Sequence, residues 1–227
     1  MSSEAQSKNK NSVSQLILII SLGLLGLVIG FWLSLQLLND GNDQKMPQNL
    51  EATVLPDARA LVGFNLSDHD GGPFTPQQLQ GQWSFLFFGF THCPDVCPTA
   101  LKVMQSVWKA LPTKKGETGH PKLFFVSVDP DRDKPATLKQ YVQYFHPEFN
   151  AVTGRLDELD KLTNQIGILY GYDDKDDGND LEYTVNHSAQ IILVDPLGRM
   201  RAVISPPHVP ETISSNFQTI RTFYGDE

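Results

Sequence analysis

The sequence is poor in basic residues and in cysteine, and each shortage excludes a class of function. Its 227 residues include 18 Lys and Arg against 26 Asp and Glu, which gives a formal net charge of −8 at pH 7. Nucleic-acid binding depends on basic surface that neutralises phosphates, so we expect no nucleic-acid partner. Two cysteines are too few for a disulfide scaffold. No segment repeats at a fixed period, which argues against a repeat architecture.

Charged residues are also absent from Asn11 to Asn39. Leu, Ile, Val, Gly, Phe and Trp dominate residues 13–38, and about 20 apolar residues cross a bilayer core as a helix. A cleaved signal peptide is the alternative, but its apolar part is usually about 7–15 residues long and ends in small residues. The long run here ends in Leu38 and Asn39, so we predict an uncleaved transmembrane anchor at 13–38.

The charges on either side of this segment predict its orientation. Lys8 and Lys10 precede it, whereas Asp40 and Asp43 follow it. Cytoplasmic flanks are the ones enriched in Lys and Arg, so we expect residues 1–12 to form a cytoplasmic tail. In a bacterium this arrangement gives a single-pass protein of the inner (cytoplasmic) membrane with its soluble domain on the periplasmic side. Polar residues 39–52 would form a tether, and residues 53–227 are enough for one domain with its own core.

Both cysteines follow a predicted buried strand and open a predicted helix. The apolar run Trp83 to Phe88 is typical of a strand covered on both faces. Cys93 and Cys97 come next, each directly before a proline, and residues 97–111 predict an amphipathic helix. Free N–H groups and the dipole at a helix start favour a thiolate. The pair can therefore close a disulfide or bind a soft metal ion, whereas two structural cysteines would not be expected to share one turn.

The run from Phe88 to Pro98 closely resembles the active motif of the Sco/SenC proteins. These are membrane-anchored, thioredoxin-like copper proteins that help to build the copper centre of cytochrome c oxidase. Residues 126–133 resemble the family's strand-end sequence of the Asp-Pro-x-Arg-Asp type, and residues 183–188 resemble the segment that carries its metal-binding histidine. The resemblance covers roughly residues 53–227 in order and spacing, which is more specific than a lone cysteine pair.

This resemblance implies that Cys93, Cys97 and His187 are copper ligands. It also implies that the copper-centre subunit of cytochrome c oxidase is the partner, with another copper chaperone or a thiol reductant as a further partner. The chemistry agrees, because Cu(I) is soft and suits two thiolates and a neutral imidazole, whereas Cu(II) would want another oxygen or nitrogen donor. Asn186 stands where the family commonly has Asp. If that Asp orients the histidine or offsets the metal charge, this protein holds Cu(II) less tightly.

The order of predicted elements is that of an α/β, thioredoxin-like fold. A strand, a helix and a second strand in this order imply parallel strands with right-handed crossovers, and a β-hairpin and a helix follow. The predicted strands lie at 52–55, 60–66, 83–88, 122–128, 150–152, 183–185, 188–195 and 199–204, and the helices at 97–111, 136–145, 156–167 and 210–223. Pro56 and Asp57 predict a break between the first two strands. The acidic residues 173–180 predict a solvated loop.

Four further residues lie near the motifs and are not counted among the metal ligands. Asp95 lies between the cysteines, where it either caps the helix or affects copper, and the capping role is at least as well motivated. His92 either tunes Cys93 or is an exposed neighbour, and we do not count it as a ligand. Asp129 and Arg132 are expected either to form a charged cluster near the site or to position its loops, which is structural support and not catalysis.

Two functions fit these observations. The first is a copper chaperone for oxidase assembly, which requires Cys93, Cys97 and His187. The second is a thiol–disulfide oxidoreductase in which Cys93 and Cys97 form the redox-active catalytic pair that acts on target cysteines. Three intervening residues distinguish the pair from the common two-residue redox motif, and only the first function requires the histidine. A thioredoxin-like peroxidase is a third hypothesis, which the Sco-like segments argue against. We expect a metallochaperone, with an enzymatic thiol activity left open.

Overall fold

The computed structural model describes residues 18–34, 50–112, 120–173 and 183–225. It divides the chain into two units, residues 1–45 and residues 46–227. In the first unit, residues 18–34 form helix α1, and its apolar side chains are exposed. No helix within the described residues is both long enough and apolar enough to cross a membrane. Residues 1–17 and 35–49, which include the ends of the predicted anchor and most of the predicted tether, lie outside the described residues.

The second unit is a mixed α/β domain built on one large sheet. Its described strands are β1 (Ala52–Ala60), β2 (Leu66–Asp68), β3 (Pro73–Phe74), β4 (Ser84–Gly89), β5 (Lys122–Ser127), β6 (Asn150–Thr153), β7 (Tyr170–Asp173), β8 (Thr184–His187), β9 (Ile191–Val194) and β10 (Arg199–Ile204). Its described helices are α2 (Val96–Ala110), α3 (Pro135–Phe145), α4 (Leu156–Ile166) and α5 (Pro210–Tyr224), with a short 3-10 helix at Pro76–Leu79. The helix bounds agree with the sequence predictions to within one or two residues.

Strand β4 lies at the centre of the domain. The eight-stranded sheet has the order β1-β10-β9-β4-β5-β6-β2-β3. Strand β4 pairs in parallel with β5 and antiparallel with β9, so it joins the parallel half to the antiparallel half. All six of its residues are buried, as the continuous apolar run predicted. This confirms the predicted α/β order and places the carboxyl end of β4 where α2 begins.

Helices cover both faces of the sheet. Phe85 and Phe87 lie in a core cluster with residues of α2, α3 and α5. Leu86 and Phe88 point the other way, into a cluster with Leu159 and other residues of α4. Successive strand residues alternate between faces, so the apolar run from Phe85 to Phe88 contributes to both cores at once. The central strand is therefore held from both sides, which fixes the position of its carboxyl end.

The predicted break at Pro56 and Asp57 is wrong. One strand, β1, runs through both residues, and its register against β10 shifts between Val54 and Arg59. Strand β1 is the last strand at its edge of the sheet. A proline is tolerated on an edge strand or at a bulge, because no ladder hydrogen bond is needed from its nitrogen.

Strands β7 and β8 form a separate two-stranded ribbon. The sequence predicted a strand at 183–185, and the structure pairs it with the short strand β7, which was not predicted; Tyr170 pairs with His187. Residues 174–182 between the two strands, which include nearly all of the predicted acidic loop, lie outside the described residues. The ribbon matters because its last residue is His187.

Candidate metal centre

The carboxyl end of β4 makes room for one of the two sulfurs. Gly89 is the last residue of β4. A Cβ atom at this position would lie 2.9 Å from Cε2 of Phe125 and closer still to Sγ of Cys97. Both separations are below normal van der Waals contact. The missing side chain of Gly89 therefore allows the buried sulfur of Cys97 to lie against the end of the strand.

The first turn of α2 brings the two cysteines together. Cys97 lies in this turn and is fully buried, whereas Cys93 lies in the preceding loop and is partly exposed. The backbone N–H of Cys97 donates to Sγ of Cys93 across 3.4 Å. Asp95 occupies the N-cap position, but its carboxylate accepts a hydrogen bond from the hydroxyl of Thr99, at 3.2 Å, rather than from a helix N–H. A free N–H group at the start of α2 thus donates a hydrogen bond to a sulfur, as the sequence predicted.

The two thiols have opposite tendencies to ionise. The pKa of the Cys93 thiol is lowered to about 4, first by the hydrogen bond from the side chain of Cys97 and then by the backbone N–H groups of Cys97 and Asp95. The pKa of the Cys97 thiol is raised, because the same hydrogen bond and its burial both favour its protonated form. At neutral pH the pair therefore consists of an accessible Cys93 thiolate and a buried Cys97 thiol.

His187 completes the site from the ribbon. Its Nε2 atom lies 3.3 Å from Sγ of Cys97. Its Nδ1 atom lies 3.1 Å from the backbone oxygen of Ser188, and a carbonyl can only accept, so Nδ1 carries the proton. The ring meets the rings of Phe87 and Phe90 edge to face, with centroids 6.4 and 5.9 Å away. These contacts direct the lone pair of Nε2 towards the sulfurs.

The three residues that the sequence proposed as ligands are brought together. The donor atoms of Cys93, Cys97 and His187 all lie within 4.8 Å of one another. Two sulfurs and one imidazole nitrogen form a donor set that suits soft and borderline ions such as Cu(I) and Zn²⁺. Among the described residues, these three form the only group of three or more His, Cys, Asp or Glu side chains that lie close enough together to hold a metal ion.

The side chains of His92, Asn186, Asp129 and Arg132 lie around the three candidate ligands. His92 is 56% exposed at its side chain and lies beside the hydroxyl of Thr91, so it is an exposed neighbour of Cys93. The amide of Asn186 donates across the ribbon to the carboxylate of Asp173. Asp129 and Arg132 form the expected charged cluster, with Nε of Arg132 2.5 Å from Oδ2 of Asp129.

Sequence reasoning missed the role of Asp133. This fully buried carboxylate accepts hydrogen bonds from the backbone N–H of Thr91 at 2.9 Å, the hydroxyl of Thr91 at 2.5 Å and the hydroxyl of Ser127 at 2.6 Å. Burial raises the pKa of Asp133 despite these bonds. The contacts fix the loop two residues before Cys93. The only sequence signal was its place at the end of the Asp-Pro-x-Arg-Asp segment.

The chain is similar to known proteins over most of the domain. The sequence model of the family described as SCO1/SenC matches residues 54–222. The mitochondrial SCO2 homologue of Bos taurus is 34% identical over 192 residues, which cover 82% of this chain and 68% of that protein. An SCO2-like protein of Rickettsia felis is 33% identical over 193 residues, which cover 85% of this chain and 89% of that protein.

The chain is also similar to solved structures. Arabidopsis thaliana ScoI with copper bound is 30% identical, with a TM-score of 0.63, and the match covers 72% of this chain and 99% of that one. Yeast Sco1 with copper bound is 32% identical, with a TM-score of 0.62, and the match covers 70% of this chain and 87% of that one. The fold that carries Cys93, Cys97 and His187 is therefore the fold of these copper-bound proteins.

Proposed function

The chain belongs to the SCO1/SenC family, and from that premise we propose that it binds copper as cargo. It would deliver this copper to cytochrome c oxidase, or prepare the oxidase copper site, as the Sco/SenC motifs imply. The observation that carries the proposal is the convergence of Cys93, Cys97 and His187, whose donor atoms lie within 4.8 Å of one another. The copper-bound relatives support the choice of metal, because they share the fold at 30% and 32% identity.

The donor set fits Cu(I) as the form in which the cargo is held. Cu(I) accepts few ligands and prefers thiolates, and a neutral imidazole can complete a trigonal set. Cys93 already offers a thiolate, His187 offers the lone pair of Nε2, and Cys97 would give up its proton on binding. Cu(II) would need a further oxygen or nitrogen donor. Cys93 and His187 are partly exposed, which leaves one side of the site open to an acceptor protein.

His187 separates copper binding from thiol chemistry. We expect His187→Ala to weaken Cu(I) binding much more than it changes the rate of disulfide exchange, because only the metal site needs the imidazole. Competition with a Cu(I) chelator measures the affinity, and X-ray absorption counts the sulfur and nitrogen ligands. His92→Ala is the matched control, since His92 adjoins Cys93 but is an exposed histidine outside the donor set.

The comparison needs equal amounts of folded protein, because the ring of His187 also packs against Phe87 and Phe90. Unfolding curves of both variants provide that check. A folded His187→Ala protein that binds Cu(I) with wild-type affinity and supports oxidase assembly would refute the chaperone mechanism. The thiol–disulfide oxidoreductase hypothesis would then be preferred.

A thiol–disulfide oxidoreductase is the second candidate, and the asymmetry of the cysteine pair favours it. An accessible Cys93 thiolate beside a buried, protonated Cys97 is suited to attack on a target disulfide, with Cys97 resolving the mixed disulfide. Both activities can belong to one protein. Retained disulfide exchange in the His187→Ala variant would show that the thiol activity does not depend on the imidazole.

We also propose that residues 13–38 anchor the domain in a membrane, with the domain outside the cytoplasm. Support comes from the uncharged run between Asn11 and Asn39 and from the exposed apolar side chains of helix α1. Lys8 and Lys10 favour a cytoplasmic N-terminus. A reporter fused after Asp43 should be active only outside the cytoplasm. An active cytoplasmic reporter, or a mature N-terminus that begins after Leu38, would overturn this proposal.

A further inference from the structure

The histidine of the proposed copper site stands on a ribbon outside the main sheet. Among the described residues, β7 and β8 pair only with each other, whereas β4, which leads to the cysteines, belongs to the eight-stranded sheet. Three residues, 188–190, connect His187 to β9. A backbone ladder therefore does not set the position of the imidazole relative to the sulfurs. Side-chain contacts between the ribbon and the domain must contribute to it.

Arg132 makes such contacts with Tyr183, the residue directly before β8. Its side chain is only 7% exposed. Its Nε atom donates to Oδ2 of Asp129 at 2.5 Å, and Nη1 donates to the backbone oxygen of Tyr183 at 2.9 Å. The guanidinium carbon also lies 3.8 Å from the centroid of the Tyr183 ring. The hydroxyl of Tyr183 donates to Oδ1 of the same Asp129, at 2.5 Å, so three side chains close a ring of contacts.

The same guanidinium reaches the ring that packs against the histidine. The carbon Cζ of Arg132 lies 5.5 Å from the centroid of Phe90. The ring of Phe90 in turn lies 5.9 Å from the ring of His187, edge to face. Arg132 therefore contacts both Tyr183, which precedes β8, and Phe90, against which the imidazole rests.

We propose that Arg132 is a positioning residue for His187, acting through Tyr183 and Phe90 and not through the metal. A guanidinium suits this role because its planar fork can bond Asp129 and Tyr183 simultaneously while its face stacks on aromatic rings. A lysine offers a compact charge and cannot reproduce both bonds and the stacking. Because this role depends on the copper site proposed above, the test must separate failure of the site from failure of the positioning.

The chain supplies a matched control in Arg201. Its side chain is 5% exposed, its Nη2 atom lies 2.8 Å from Oδ2 of the buried Asp195, and its guanidinium carbon lies 3.9 Å from the centroid of the Tyr224 ring. Strand pairing places Val194, the residue before Asp195, beside Ser84, at the opposite end of β4 from Gly89. Loss of Arg201 therefore removes a buried ion pair and a ring contact far from the cysteines, although Arg199 stays bonded to Asp195.

The experiment uses the full chain with reduced cysteines and Cu(I) alone as the probe. We expect Arg132→Met to remove the nitrogen ligand from the X-ray absorption spectrum. Cu(I) binding should weaken by about tenfold to a hundredfold, the usual cost of losing a residue that orients a metal ligand. Labelling of both thiols should be unchanged. Arg201→Met should keep the nitrogen ligand and the wild-type affinity, even if it melts at a lower temperature. Arg132→Lys should restore part of the affinity.

A second readout needs no metal. In the copper-free protein, amide hydrogen exchange of β7 and β8 should accelerate in Arg132→Met and stay at the wild-type rate in Arg201→Met. A folded Arg132→Met protein with wild-type nitrogen count and affinity would overturn the proposal, and so would equal loss in Arg201→Met. If Arg132→Met does not fold, Arg132→Lys decides, and wild-type nitrogen count and affinity in that variant would reject the role.

His187→Ala, measured in parallel, distinguishes the two levels of failure. If His187→Ala keeps wild-type Cu(I) affinity, the copper site itself is wrong, and the positioning role fails with it. If His187→Ala loses affinity while Arg132→Met does not, the copper site stands and only the role of Arg132 is rejected.

Discussion

Gly89→Ala should damage the metal centre without removing any ligand. The added methyl group would lie 2.9 Å from Cε2 of Phe125 and closer than that to Sγ of Cys97. Carbon and sulfur need about 3.5–4.0 Å, so the sulfur must move by about 1 Å or the strand end must shift. Cys97 is fully buried, and protein interiors are close-packed, so the movement would disturb its neighbours. Gly89 is not among the glycines with positive φ, so the effect comes from this contact and not from backbone strain.

A displacement of about 1 Å is large compared with the tolerance of a metal site, where ligand distances hold to about 0.2 Å. We therefore expect Cu(I) affinity to fall by at least about tenfold, with one sulfur lost or displaced in the X-ray absorption spectrum. Overpacking should also lower the free energy of unfolding by about 1–3 kcal/mol. Chelator competition and denaturant unfolding measure the two effects separately.

Gly171→Ala is the matched control for this change. Gly171 lies in β7, on the ribbon that carries His187, and a Cβ atom there would meet nothing within 4 Å. This variant should bind Cu(I) as the wild type does. If Gly89→Ala also keeps wild-type affinity and an unchanged sulfur shell, the reasoning about the space for Cys97 is wrong.

Two further predictions concern the thiols. The lowered pKa of Cys93, about 4, keeps its thiolate present throughout the neutral range. Its alkylation by iodoacetamide should therefore be nearly independent of pH between about 6 and 8 and should slow only in acid. A rate of alkylation that rises tenfold per pH unit up to pH 8 would contradict this. A disulfide between Cys93 and Cys97 removes both sulfur ligands, so the oxidised protein should not bind copper. Mass spectrometry with thiol labelling before and after copper loading checks this, and unchanged copper binding by the fully oxidised protein would refute the ligand assignment.

Local patterns were sufficient where the sequence is strongly periodic. The buried strand β4 and the helices α2 to α5 were predicted because continuous apolar runs and amphipathic segments have few alternative structures. The cysteine pair at the start of α2 followed from the same patterns. The role of Gly89 did not, because an apolar run that ends at glycine says nothing about which distant group needs the space beside it.

Local sequence patterns did not predict the contacts between distant parts of the chain. Cys97 and His187 are 90 residues apart, and their proximity was expected only through the family resemblance. Strand β7 was missed because it is four residues long, contains Gly171 and gains its strand structure by pairing with β8. The break predicted at Pro56 failed because an edge strand tolerates a proline that a central strand would not.

The turn 129–133 after β5 links both halves of the metal centre. The carboxylate of Asp133 accepts hydrogen bonds from the loop that leads to Cys93. The carboxylate of Asp129 accepts hydrogen bonds from Arg132 and from Tyr183, the residue directly before β8. The backbone N–H of Asp133 also donates to the backbone oxygen of Asp129 at 2.9 Å. Surface turns ordinarily accept insertions and deletions. Here one added or deleted residue would change the spacing of the two carboxylates and move the cysteine loop relative to the ribbon, so these contacts constrain the length of this turn.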